Sequence, residues 1–379
     1  MQVLQGLRRI GPALAAALIL SAAIAPATSA GAGPATARLT FGVDWDGLRI
    51  GSPCISGLAS ANSTVGLVWK SAAGAQKART NVTAAAGRGF WSYCSDTSSL
   101  AAGDVLKVDD GLGDRTFTMP KITLIADRVN NVFRGKGLAN RVTSLYYRPG
   151  LLATHYEVAE ITAAADGRWS YDPGDDIIGG IGAEITWTTA KGDWMTAVGT
   201  APYVAVTLGR SRFTGGTSPL QNVKVSLRDP ATAVVKGRGS AVGGHYGEFA
   251  GEFVNANGTP VMVAAGDRFV SGIASDANWI VPNVEGSANV ATDFVYGRCF
   301  DTGISFYSAS VTVYRYGGGE RGFSFASPDE NGAFEIDFSE PDDGYPVPYD
   351  SANIKHGDRV HISCLQNTGD SVQLIFRVP

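Results

Sequence analysis

Residues 163–172, AAADGRWSYD, set an Asp-Gly turn signal directly before an aromatic–polar–aromatic alternation. Two readings compete. Either the stretch is an active-site loop with Asp166 and Asp172 as paired carboxylates, or it is a bend feeding a strand. The rest of the chain favours the bend. AAGRGFWSYC at 85–94 superposes Gly89, Trp91, Ser92 and Tyr93 on Gly167, Trp169, Ser170 and Tyr171, and HYGEFAGEF at 245–253 and ENGAFEIDF at 330–338 are weaker copies. In all four a Gly stands two places before an aromatic (Trp91, Trp169, Phe249, Phe334), and these aromatics are 78, 80 and 85 residues apart. A period of that size signals tandem domains. A catalytic acid has no reason to recur as Arg88, Asp166, Tyr246 and Asn331.

Two further landmarks keep the register. Gly103-Asp104 opens a strand-like run that recurs as GAEITW from Gly182, GDRFVS from Gly266 and GDRVHI from Gly357. Upstream, a strand pattern around a Gly appears as RIGSPCISG (49–57), FRGKGLAN (133–140), FTGGTSPL (213–220) and VYGRCFDTG (295–303), each followed by alternation such as GLVWK or VTVYRY. Alternation of period two with Gly-rich turns predicts a small antiparallel sandwich. The expected fold class is therefore all-β, a tandem array of about four small immunoglobulin-like antiparallel β-sandwiches after a signal peptide. The expected limits are 1–30 for the signal, then 38–123, 124–205, 206–291 and 292–379. The four landmark aromatics are expected in the cores.

The pattern A-D-G-x-W-S-Y followed by G-D/A-x-I-x-W/V resembles the bacterial immunoglobulin-like repeat modules of secreted and cell-surface proteins. The resemblance is clearest at 124–205 and weakest in the third unit, where the Gly-rich loop around His245 is longer. It implies spacers, adhesion units or ligand-binding stalks.

Cys54 and Cys299 follow Gly51 and Gly297 in the first and fourth units, Cys94 ends the first aromatic strand, and Cys364 lies in the last Gly-Asp strand. Four cysteines allow three connectivities. The one confined within units, Cys54 with Cys94 and Cys299 with Cys364, is the expectation for an exported chain.

Export is read from the N-terminus. Arg8 and Arg9 precede an apolar run from Ile10 to about Ala25, then small residues that suit cleavage near Ala30. No second apolar stretch long enough to span a bilayer follows, so no membrane span is expected in the mature chain. Against 35 acidic side chains there are 31 basic ones, and loss of Arg8 and Arg9 leaves the mature chain about six charges negative. Nucleic acid is excluded as a partner for want of a basic stripe. An extracellular protein or polysaccharide is the expected ligand.

Chemistry is sparse. The chain has no GxSxG, HExxH, phosphate-binding or dinucleotide-binding glycine motif. His155, His245, His356 and His361 stand apart from any framed nucleophile. No catalytic, cofactor-binding or metal-ligating residue is nominated. The segment 327–350, with Asp329, Glu330, Asp337, Glu340, Asp342, Asp343 and Asp350, has the oxygen-rich composition of extracellular calcium loops but lacks EF-hand spacing. Tyr345, Tyr349, Trp187 and Trp194 are the aromatics that would stack on sugars. Three functions follow in order of support: a non-enzymatic spacer or adhesion array, a carbohydrate-binding accessory protein, and a hydrolase with a loop-assembled site.

Overall fold

A computed structural model describes residues 39–42, 47–150, 153, 155–244, 247–274, 277–300, 305–339 and 353–379. No helix occurs among them, and every sandwich packs a three-stranded sheet on a four-stranded one. In the second, Thr123–Asp127, Val132–Lys136 and Arg168–Tyr171 face Glu157–Thr162, Val142–Tyr147, Gly182–Thr188 and Trp194–Thr200. The same order recurs from Thr40–Phe41 to Asp114–Thr118, from Tyr203–Thr207 to Asn278–Ile280, and from Val284–Asn289 to Ser371–Arg377. Seven strands in this three-on-four order form an immunoglobulin-type sandwich.

The repeated landmarks have a common physical cause. Gly57 lies opposite Trp91, Gly135 opposite Trp169, Gly215 opposite Phe249 and Gly297 opposite Phe334 in the shorter sheet of each sandwich. Each ring covers the bare glycine backbone. A methyl group on Gly297 would stand 2.1 Å from the Phe334 ring, and one on Gly215 would stand 2.5 Å from Phe249. All four aromatics are buried. The turn before them needs glycine for a second reason. Gly89, Gly167, Gly247 and Gly332 have φ between +70° and +90°, and an added Cβ would meet a backbone carbonyl oxygen in each. Asp166 completes the bend by accepting the Arg168 amide at 2.9 Å, so it serves the turn that opened the sequence reading.

Two landmarks sit differently from their sequence registers. Gly103, Gly266 and Gly357 donate their amides to Met119, Val281 and Val378, and the residue doing so in the second sandwich is Gly180, bonded to Ala201, not Gly182. The following residue is buried: Asp104, Asp267 and Asp358 in three sandwiches, Ile181 in the second. Each Asp pairs with a cation at the second position of the edge strand of the same sheet, Lys77, Lys236 and Arg321; in the second sandwich that position is Val158. The ion pair and its apolar replacement thus change together. The alternative register arose because Gly182 also precedes an apolar alternation, while the Asp had gone.

The second difference concerns the cysteines. The first-sandwich counterpart of Gly297 is Gly57, not Gly51, so Cys54 and Cys299 occupy opposite ends of equivalent strands. Cys54 bonds Cys94 directly across one sheet, with Cα atoms 4.0 Å apart. Cys299 reaches Cys364 in the facing sheet, with Cα atoms 5.8 Å apart.

The sandwiches are fastened in pairs. Leu48–Arg49, between the first two strands of the first sandwich's short sheet, pairs in parallel with Met195 and Thr196 of the second. Tyr203–Thr207 of the third pairs in parallel with Ser371–Gln373 of the fourth, joining two sheets into one of seven strands. One hydrophobic cluster runs from Phe41 to Ala201 and another from Val204 to Val378. Pairing changes hands between Ile280 and Val284, ahead of residue 291, because Val284–Asn289 pairs with Phe294–Cys299. It also changes hands ahead of Tyr203, so the expected limit at 205 falls inside a strand.

Candidate binding groove

Among the described residues, the carboxylates and aromatics singled out in the sequence do not converge. Asp329 accepts the amides of Asn331 and Ala333, each at 2.8 Å, and Asp337 caps Ser339. Both act within their own turns. Residues 340–352, with Glu340, Asp342, Asp343, Tyr345, Tyr349 and Asp350, lie outside the described residues, as do His245 and the N-terminal segment 1–38. Among the described residues no group of three His, Cys, Asp or Glu gathers as a metal site, and no helix is long and apolar enough to cross a membrane. Trp187 is fully buried, which removes it as a sugar platform. It packs over Gly137, where a Cβ would stand 2.1 Å from the indole. Trp194 is partly exposed. His155 and His356 are exposed, and His361 lies on a sheet face against the Tyr314 ring, centroids 4.6 Å apart.

What the fold does create is a groove of about 440 Å³ where the second sandwich meets the third. That volume suits a ligand. One wall is the edge strand Thr123–Asp127, bonded on its other side to Val132–Lys136. Another is the edge of Trp194–Thr200 at Ala197 and Val198, just past the point where Leu48–Arg49 leaves it. The third comes from turns of the third sandwich: Ser218, Pro219 and Gln221, with Ile273 and Ala274. Ile125 and Val129 expose 42% and 49% of their surface, an unusual amount for apolar side chains in a lined groove. Asp127 and Arg134 add an ion pair at 2.7 Å. Burial pushes the Asp127 carboxyl up. Hydrogen bonds from Asn130, the Arg134 charge and the Val129 amide outweigh it and hold the group below its ordinary range.

A buried clasp fixes the floor. Arg128 donates to the carbonyls of Pro202 at 2.7 Å and Thr368 at 3.0 Å, and to Asp370 at 2.9 Å. The other oxygen of Asp370 accepts the Val204 amide at 2.8 Å. Gly369 lies so close to Gly179 that a Cβ would stand 2.1 Å from its carbonyl oxygen. The second, third and fourth sandwiches meet there. Asp193 repeats the arrangement between the first two, accepting the Phe41 amide at 3.0 Å and the Arg115 guanidinium. Sequence reading missed Arg128 and Asp370. The available signal was a Gly-Asp at 192–193 and again at 369–370, two units apart.

One residue beside the groove breaks a local rule. Asn62, Asn140 and Leu220 hold the same turn position in the first three sandwiches, with φ of 60°, 55° and 62°. Their amides bond to Ala84, Ala164 and Gly243. Asn tolerates left-handed backbone; Leu rarely adopts it. Leu220 is also 48% exposed, and its neighbours on both sides line the groove.

No family model matches the chain, and no curated protein is similar to it in sequence. Solved structures do align. The tetra-tandem repeat in the extending region of a large adhesion protein is 15% identical, covers 90% of this chain and 99% of its own, and has a TM-score of 0.17. The trypsin-activated alpha-2-macroglobulin from Escherichia coli is 10% identical over 92% of this chain and 31% of its own, at 0.17. The chicken CNTN1 FN1-FN3 domains are 7% identical over 91% of this chain and 99% of theirs, at 0.19. Superpositions of this extent carry no weight, and the fold rests on the strand pairing itself.

Proposed function

We infer that the chain is an exported, non-enzymatic array whose four sandwiches, with limits near those read from the sequence, act as a stiff spacer or adhesion module. The observation that carries this reading is the fastening of sandwich to sandwich. A flexible string of domains has polar linkers and few crossing contacts; here strands pair across both junctions within pairs, and the Arg128–Asp370 clasp ties the two pairs. Such joints hold distance and orientation, which is what a spacer or display scaffold requires. Two disulfides support an oxidising, extracellular destination.

Small-angle scattering of the mature chain tests it. A single distance distribution that Arg128→Met broadens is the expected result. A wild-type profile already spread over many inter-sandwich distances would refute the stiff array.

A further inference from the structure

We propose that the outer face of the third sandwich's four-stranded sheet binds an acidic polysaccharide, one that carries carboxylate or sulfate groups. The inference rests on the reading of the chain as an exported adhesion array and names what the array grips.

The first observation is a charge imbalance confined to one face. Asn222–Arg228, Val235–Val242, Arg268–Ser271 and Asn278–Ile280 make up the sheet. Strand alternation turns Val223, Leu227, Phe269 and Trp279 into the core and leaves Lys224, Arg228, Arg238 and Arg268 outside. Arg228 stands directly opposite Arg268, and Arg238 stands opposite Ser226, which lies between Lys224 and Arg228 on that face. The four cations form one connected patch. No carboxylate stands among the described outward residues of these strands. Asp267 is buried with Lys236, and Asp229 accepts the Ala231 and Thr232 amides in its own turn; Asp276 lies outside the described residues. The equivalent faces all carry acids. Lys107 pairs with Asp114 at 3.0 Å in the first sandwich, Glu160 and Glu184 stand on the second, and Glu320 lies opposite Tyr314 on the fourth.

The second observation is a repulsion left unbalanced. Like charges directly opposite each other on a sheet destabilise it. Arg228 and Arg268 form such a pair, and none of the four cations forms an ion pair among the described residues. The side-chain hydrogen bonds that hold the two guanidiniums use Nε and neutral partners, Arg228 to Ser226 at 3.5 Å and Arg268 to Asn278 at 2.9 Å. Their forked terminal nitrogens remain for an oxyanion, which a guanidinium binds in bidentate geometry. In a chain with 35 acidic against 31 basic side chains, a face of cations alone is complementary to an anion.

The third observation selects a sugar polymer among anions. An acidic peptide captured as an added strand needs a free edge. Here the Arg238 amide and carbonyl are both taken by Val254, and the opposite edge strand, Asn278–Ile280, has three residues. Single-stranded nucleic acid is held by aromatic rings under its bases, and the aromatics of these strands, Phe269 and Trp279, are buried on the other face. A broad anionic membrane surface would repel the acidic remainder of the chain, whereas one polymer strand touches this face alone. Ser226, Ser240 and Asn278 stand between the cations and offer hydroxyl and amide groups to sugar hydroxyls.

The test measures binding of the full mature chain to immobilised polygalacturonate and dextran sulfate at low salt, with neutral dextran as the blank. Wild type is compared with Arg228→Gln plus Arg268→Gln, with Lys224→Gln plus Arg238→Gln, and with Lys70→Gln plus Arg79→Gln on the first sandwich, which removes the same charge elsewhere. The expected result is binding to at least one acidic polymer and none to dextran. Affinity should fall by about tenfold or more in each third-sandwich pair and by much less in the first-sandwich pair, and it should weaken as salt rises. Arg228→Gln plus Arg268→Gln should melt at the same temperature or higher, because a repulsion is removed, and the Lys224 and Arg238 pair keeps the test decisive if it does not. Failure to bind either acidic polymer, or an equal loss in the first-sandwich pair, would overturn the proposal. So would polyglutamate, oligothymidylate or phosphatidylglycerol vesicles binding this face as tightly as the polysaccharides. The scattering test needs no polysaccharide, so the stiff array can stand or fall separately.

Discussion

Arg128 and Asp370, on sandwiches two apart in the chain, meet at 2.9 Å with side chains that expose 1% and 0% of their surface. Burying two charges is costly unless the pair and its remaining hydrogen-bonding groups are satisfied. Here the backbone carbonyls of Pro202 and Thr368 and the Val204 amide take up much of that capacity. Arg128→Met should therefore destabilise the chain by about 3 to 5 kcal/mol by leaving a buried carboxylate alone. Chemical denaturation should show Arg128→Met with Asp370→Asn recovering part of that loss.

Trp169 is buried against Gly135, with the ring lying over the glycine. Trp169→Ala should cost about 3 to 5 kcal/mol through the cavity it opens. Gly135→Ala should also destabilise, since its Cβ would meet the Thr123 carbonyl oxygen at 1.9 Å. Denaturation followed by tryptophan fluorescence reports both.

Asp267 and Lys236 form an ion pair whose second-sandwich equivalents are Ile181 and Val158. Asp267→Ile alone leaves Lys236 facing an apolar neighbour and should destabilise. Asp267→Ile with Lys236→Val should return to within about 1 to 2 kcal/mol of wild type, since the Lys236 side chain is 37% exposed and a half-exposed ion pair contributes little that an apolar pair cannot replace. Non-additivity in a double-mutant cycle is the readout.

Burial, and then the neighbouring Arg359 charge, push His361 from the usual value near 6.5 down to about 4. The folded chain therefore favours the neutral ring. Below pH 6.5 the unfolded chain binds the proton more readily, so this contribution is complete above 6.5 and is lost as pH falls toward about 4. Melting temperatures between pH 7 and 4 should fall less steeply in His361→Gln.

The strand and turn framework was legible because it is written locally. A glycine with positive φ before an aromatic leaves the same mark in each copy, as Gly89–Trp91 and Gly167–Trp169 show. The Gly182 register failed where Ile181 had replaced the aspartate that marks the position elsewhere. The groove and clasp were out of reach for a different reason. Arg128 and Asp370 stand 242 residues apart, and nothing around either predicts that they touch. Leu220 was readable in principle as a Leu where two other turns carry Asn, but its meaning depends on knowing that the backbone there is left-handed.

The parallel joints also bear on how such a chain comes to exist. Phe41 waits for Asp193, 152 residues on, and Val204 waits for Asp370, 166 residues on. As the chain folds from its N-terminal end, the opening strand of each pair, already paired on one side within its own sandwich, must leave its other edge unpartnered until the second sandwich is nearly complete. A lone first or third sandwich would display that open edge. Lineages carrying this architecture should therefore gain and lose repeats by twos, and truncations that stop after an odd sandwich should aggregate where those stopping after an even one do not.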